Sequence, residues 1–189
     1  MKANSRIFHK GFSLIETVIV IALFFTLIVG LSFLFIRHNQ IYHFEDALIH
    51  VTGTARQTMQ DINTFTLQAH RVLNSQTVNG TAYTSGAATL VLQLPSINSS
   101  SAIIANTWDY VAFYKTGSQV WEQYQAGTGS IRPTITKLLT DSAASLTFTY
   151  DNATFASVKK VTVDLQTSQV YKTQTTLDHL EQQIRLRNY

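Results

Sequence analysis

The chain has 189 residues, a formal charge of +3 and no cysteine. The missing cysteines exclude disulfides, Cys-ligated metals and thiol catalysis. Lys2, Arg6 and Lys10 carry the whole charge excess, and without them the remaining bases balance the 11 acids, so net charge gives no support to a nucleic-acid surface. Charged residues are only 13% of the chain, and Ser, Thr, Asn and Gln are abundant, a composition that suits a secreted or surface protein. The length fits one domain plus an anchor, or a small two-part chain.

The first element is an apolar run. From Gly11 to Ile36 the sequence reads Gly-Phe-Ser-Leu-Ile-Glu-Thr and then Val18 to Ile36 with almost nothing polar. As a helix, 12–36 is about 37 Å long, more than the ~30 Å hydrocarbon core of a bilayer. Three bases precede the run and only Arg37 follows it directly, which puts the amino end inside and the bulk of the chain outside. A secretory signal has an apolar core of about 7–15 residues and a small-residue cleavage site. Here the core is longer, holds Glu16, and no Ala-x-Ala follows it. An acid inside a membrane span is expensive and is therefore a functional hypothesis in its own right. Ser13-Leu14-Ile15-Glu16 is also a capping box, in which Ser caps the helix and Glu reaches back to a backbone N–H.

Lys10-Gly11-Phe12-Ser13-Leu14-Ile15-Glu16 resembles the class III signal of type IV prepilins and type II secretion pseudopilins: a short basic leader ending in Gly, then Phe, then Glu as the fifth residue after the Gly, then an apolar helix. The resemblance directly covers about the first forty residues. It implies cleavage between Gly11 and Phe12 by a membrane-embedded prepilin peptidase, N-methylation of Phe12, and pairing of Glu16 with the amino terminus of a neighbouring subunit during filament assembly. The leader is then 1–11, the membrane and filament-core helix 12–36, and the partners are other pilin or pseudopilin subunits, the peptidase, an inner-membrane assembly platform and, before assembly, membrane lipid. The location implied is the cytoplasmic membrane, single-pass, and later a periplasmic or surface filament. Many major pilins carry a helix-breaking Pro inside the apolar segment. Neither Pro of this chain lies there, which argues for a straighter helix and against a filament's main subunit.

Beyond Arg37 the apolar or small positions Ile41, Phe44, Leu48, Val51, Ala55, Thr58, Ile62, Phe65, Ala69 and Val72 recur every three or four residues. This stripe predicts an amphipathic continuation of the helix over 37–73, packed on a sheet. Gly53 is a weak point where a break is expected, since Gly in a helix interior costs about 1 kcal/mol relative to Ala. His38, His43, His50 and His70 lie on this helix without the i, i+4 spacing of a helical metal pair, so no metal site is expected.

The 74–189 segment reads as a β-rich domain. Asn74 to Ala88 is a polar linker, Thr89–Leu94 a strand ended by Pro95, and 96–101 a loop. Asp109–Lys115 and Gln119–Gln125 form a hairpin across Thr116-Gly117-Ser118. Its Trp108, Tyr110, Phe113, Tyr114, Trp121 and Tyr124 read as a buried aromatic centre rather than a stacking platform for single-stranded DNA. Gly127–Pro133 is a turn region, and Ile135–Leu139, Ser145–Tyr150 and Val158–Thr167 are strands. Leu177–Leu186 fits helix or strand, with Ile184-Arg185-Leu186-Arg187 favouring a terminal strand. The expected fold is α+β, a long N-terminal helix on an antiparallel sheet in the pilin-like manner. The Asp-Tyr-Val hairpin, the Leu-Leu before Leu-Thr-Phe-Thr-Tyr and the closing Ile-Arg-Leu-Arg-Asn are similar to J-type minor pseudopilins and related minor pilins, subunits at or near a filament tip.

No hydrolase, phosphate-loop or His-Glu motif occurs. Asp109, Asp151 and Asp164 read as solvated carboxylates at strand ends or on alternating faces. Neither an enzyme nor a cofactor is expected. The reading of the chain is a minor pilin or pseudopilin; the alternative is a single-pass anchored extracytoplasmic binding domain that does not assemble.

Overall fold

The computed structural model describes residues 13–172 and 174–187. The chain divides into two units, the first ending at His43 and the second beginning at Phe44. One helix, α1 (Leu14–Gln68), contributes to both without interruption. Gly53 does not break it. A Cβ at Gly53 would meet nothing within 4 Å, so the position carries only the intrinsic propensity cost, which one residue in a packed helix can bear.

In the first unit the side chains of α1 are exposed along the apolar run, including Leu14, Phe24, Phe25, Phe33 and Phe35. The helix is long and apolar enough to cross a membrane. Its hydroxyls are satisfied internally: Thr26 Oγ1 donates to the Ala22 carbonyl at 2.9 Å and Ser32 Oγ to the Ile28 carbonyl at 2.8 Å.

The second unit is α+β: the remainder of α1 on antiparallel sheets. The sheets are built from β1 (Arg71–Val72), β2 (Ser75–Val78), β3 (Thr81–Thr84), β4 (Thr89–Ile97), β5 (Ile103–Thr116), β6 (Gln119–Gln125), β7 (Ile135–Thr140), β8 (Ala143–Tyr150), β9 (Lys160–Tyr171) and β10 (Gln174–Arg185). One sheet has the order β1-β4-β5-β6-β7, a second the order β10-β9-β8, and β2-β3 is a separate hairpin. Val51, Ala55, Met59 and Ile62 of α1 are buried, and the last three join Leu90, Leu92, Leu94, Val111, Phe113, Val163 and Leu165 in one core.

Several expectations are corrected. The apolar stripe holds from Val51 to Ile62, but Ile41 is 55% and Leu48 40% exposed. The helix ends at Gln68 rather than Leu73, because β4 captures the chain: the His70 N–H donates to the Gln93 carbonyl at 2.8 Å and the Leu73 N–H to the Val91 carbonyl at 2.9 Å. Ala69 and Val72 stay buried after that switch, so their spacing could not reveal it. The expected linker over 74–88 is the β2-β3 hairpin, turned by Asn79 (φ 48°) and Gly80 (φ 81°), the Asn-Gly pair that a tight hairpin turn favours. Pro95 does not end its strand but sits within β4 opposite Trp108, where the register shifts, a bulge position that tolerates the missing N–H. The hairpin at Gly117-Ser118 is present, with Thr116 facing Gln119 and Gly117 at φ 61°. The terminal segment is a strand, β10.

Candidate functional site: the helix start and the buried carboxylates

Gly11 and Phe12, the expected cleavage junction, lie outside the described residues. Glu16 lies in the first turn of α1. The capping box is formed: the Ser13 N–H donates to Glu16 Oε2 at 3.4 Å and the Glu16 N–H to Ser13 Oγ at 3.3 Å. Both distances are beyond the usual 2.7–3.2 Å of N–H···O bonds, so the clasp is slack and the carboxylate keeps most of its acceptor capacity. Glu16 is the one charged residue between Leu14 and Ile36. With Thr26 and Ser32 bonded to their own helix, it is the group in this run whose transfer out of water is left uncompensated.

A second carboxylate is placed differently from its expectation. Asp109, read as a solvated acid, is wholly buried in β5. Its Oδ1 accepts from Ser96 Oγ at 2.7 Å and the Gly127 N–H at 2.7 Å. Its Oδ2 accepts from Tyr124 OH, from Ser130 Oγ at 2.9 Å and from Arg132 Nη1 at 2.9 Å. Burial alone pushes this carboxyl up, but the bonds from Tyr124, Ser96, Gly127 and Arg132 outweigh it and hold it below the usual carboxylate range. Arg132 also donates to the Pro95 carbonyl at 2.9 Å and, through Nη2, to Gln68 Oε1 at 2.8 Å at the end of α1. Gly127 is required here, since a Cβ would lie 2.5 Å from the Trp108 carbonyl oxygen and 2.7 Å from Ser96 Oγ. The cluster therefore ties β4, β5, β6, the 127–132 loop and the helix end to one charge.

A third group, Glu122 on β6, is 4% exposed. It lies across from Lys137 of β7, whose Nζ donates to Asp61 Oδ2 of α1 at 2.8 Å. The period of two carried the signal for both buried acids: Asp109 shares a face with Val111 and Phe113, and Glu122 with Val120 and Tyr124.

The aromatic residues divide between the two faces of the five-stranded sheet. Phe113 and Tyr124 pack on Phe65 of α1 with ring centroids 6.0 and 5.6 Å apart. Trp108 stacks on His70 at 4.8 Å, and Tyr114 meets Tyr83 of the β2-β3 hairpin at 4.8 Å. Clefts of about 390 and 410 Å³ flank Phe155 and, among the described residues, are lined by no carboxylate, histidine or lysine. No family model matches the chain, and no curated protein or solved structure is significantly similar to it.

Proposed function

We propose that the chain is a structural subunit of a type IV pilin-like or type II secretion pseudopilin filament, a minor component at or near its tip. Prepilin peptidase cuts after Gly11 and N-methylates Phe12. An inner-membrane platform then moves the subunit from lipid into the filament, where the apolar part of α1 packs among its neighbours. The observation that carries this reading is Glu16, a lone acid at the start of an exposed apolar helix whose other polar side chains are already satisfied. A carboxylate in low dielectric and a free ammonium at the lipid edge each pay a desolvation cost that pairing offsets. A cut at Gly11 supplies that ammonium on the neighbouring subunit, so the pair sets the register between adjacent helices.

The test is the mass and incorporation of the mature chain. The mature protein is expected to begin at N-methyl-Phe12, and Glu16→Gln, which keeps a capping acceptor for the Ser13 N–H but removes the charge, is expected to be processed yet excluded from filaments. A membrane-bound product with Met1 intact, in cells with active peptidase, or normal incorporation of the Gln variant overturns the reading and leaves an anchored domain that does not assemble.

A further inference from the structure

Glu122 lies on the core side of β6, between Val120 and Tyr124 in the alternation, and the residue as a whole is buried. Directly across from it are Phe113 on β5 and Lys137 on β7. The Lys137 ammonium is already engaged with Asp61 of α1 at 2.8 Å. Lys137 makes its ion pair with Asp61, and the buried Glu122 feels it only as a nearby charge; among the described residues no hydrogen bond ends on the Glu122 side chain. The groups around it are few. From α1 the facing charge is Asp61, and from β7 it is Lys137; β5 presents Phe113, and the buried face of β8 is Ala143, Leu146 and Phe148. On β6 itself the titratable neighbour is Tyr124, whose hydroxyl is committed to Asp109. With both acids ionised the cluster carries one uncompensated negative charge beneath the helix; with one proton bound it is neutral.

We propose that Glu122 is a proton-operated clasp between the Phe44–Gln68 part of α1 and the five-stranded sheet. With its proton on, the neutral side chain sits beneath the Asp61–Lys137 pair and the helix segment stays docked. When the proton leaves to solvent, two like charges compete for one lysine and the segment loosens. The clasp works in the neutral range, because burial first, and the Asp61 charge second, push the Glu122 carboxyl from an ordinary 4.5 to about 7, against the opposing pull of Lys137. The sign follows from linkage. A raised carboxyl favours the docked state below the ordinary value, and that advantage is lost as pH rises from 4.5 through about 7.

The experiment uses the full chain in detergent micelles. The Glu122 carboxyl carbon is followed by NMR from pH 4 to 9, together with amide exchange at Ile62 and Phe65 corrected for intrinsic rates. The carboxyl is expected to titrate near 7, and the opening equilibrium of the helix segment to rise by up to about tenfold per pH unit within the window. Glu122→Gln should flatten that rise. Asp61→Asn should move the Glu122 midpoint downward, because it frees Lys137 for Glu122 and removes the like charge. An ordinary carboxyl titration in the wild type, or an unchanged rise in Glu122→Gln, overturns the proposal. Should the Gln variant fail to fold, an Asp61→Asn midpoint that stays put or moves up overturns it as well.

Discussion

Asp109→Ala is the most demanding test of the packing described above. The substitution removes the acceptor of five donors, leaving Ser96 Oγ, Tyr124 OH, Ser130 Oγ, the Gly127 N–H and the Arg132 guanidinium without it. The separate bonds do not simply add, so the bound is the cost of breaking a buried charge pair by deleting one side, ~3–5 kcal/mol. For a chain of this size about 2–4 °C of melting temperature accompanies each kcal/mol, so a fall of ~6–20 °C is expected in thermal unfolding of the full chain in micelles at pH 7, followed by circular dichroism. Asp109→Asn keeps the shape but offers one acceptor oxygen where two are used, and should fall between the wild type and the Ala variant. Removing the guanidinium as well, in Asp109→Ala/Arg132→Met, should cost less than the sum of the single changes by ~1–3 kcal/mol, because each single change strands the other charge. The wild type has an acid limb of known sign. A depressed carboxyl contributes stability above its ordinary value of 3.8, and that contribution is lost as pH falls through the lower folded value. A melting temperature for Asp109→Ala within ~2 °C of wild type, less than the shift of a single kcal/mol, would mean that the carboxylate is hydrated in solution, and the reasoning fails.

Two further changes separate local from tertiary effects. Gly127→Ala places a Cβ 2.5 Å from the Trp108 carbonyl oxygen and 2.9 Å from Thr107 Cγ2; overpacking of this kind costs ~1–3 kcal/mol, and the same melting experiment reads it. Gly53→Ala is expected to act in the opposite sense. Nothing lies within 4 Å of the new Cβ, so the helix gains ~0.5–1 kcal/mol, seen as a higher melting temperature with unchanged helix content.

Short-range patterns made part of this architecture legible. The apolar run, the Val51 to Ile62 stripe and the alternation of β6 and β8 each follow from a side-chain period that survives folding, so α+β with a long first helix could be read directly. The Asn79-Gly80 turn was equally present in the sequence, but the polar residues around it resemble a linker, because a hairpin that packs on another sheet through Val78 and Tyr83 needs few apolar positions of its own. The end of α1 was not legible. Gln68 is followed by residues that would suit a helix, and competition from the edge of β4 ends it.

The chain's local chemistry alone determines where an apolar span begins, which single acid interrupts it, and which face of each strand is turned inward. These are properties of neighbours in sequence. The states of Asp109 and Glu122 belong to the tertiary structure. Each occupies an inward position by alternation, but whether a buried acid is held ionised by five donors or pushed toward its neutral form by burial and a nearby acid whose lysine is already paired depends on groups brought from distant segments. Hydrogen bonding and desolvation act over a few ångströms of space, and no pattern along the chain specifies which groups will share them.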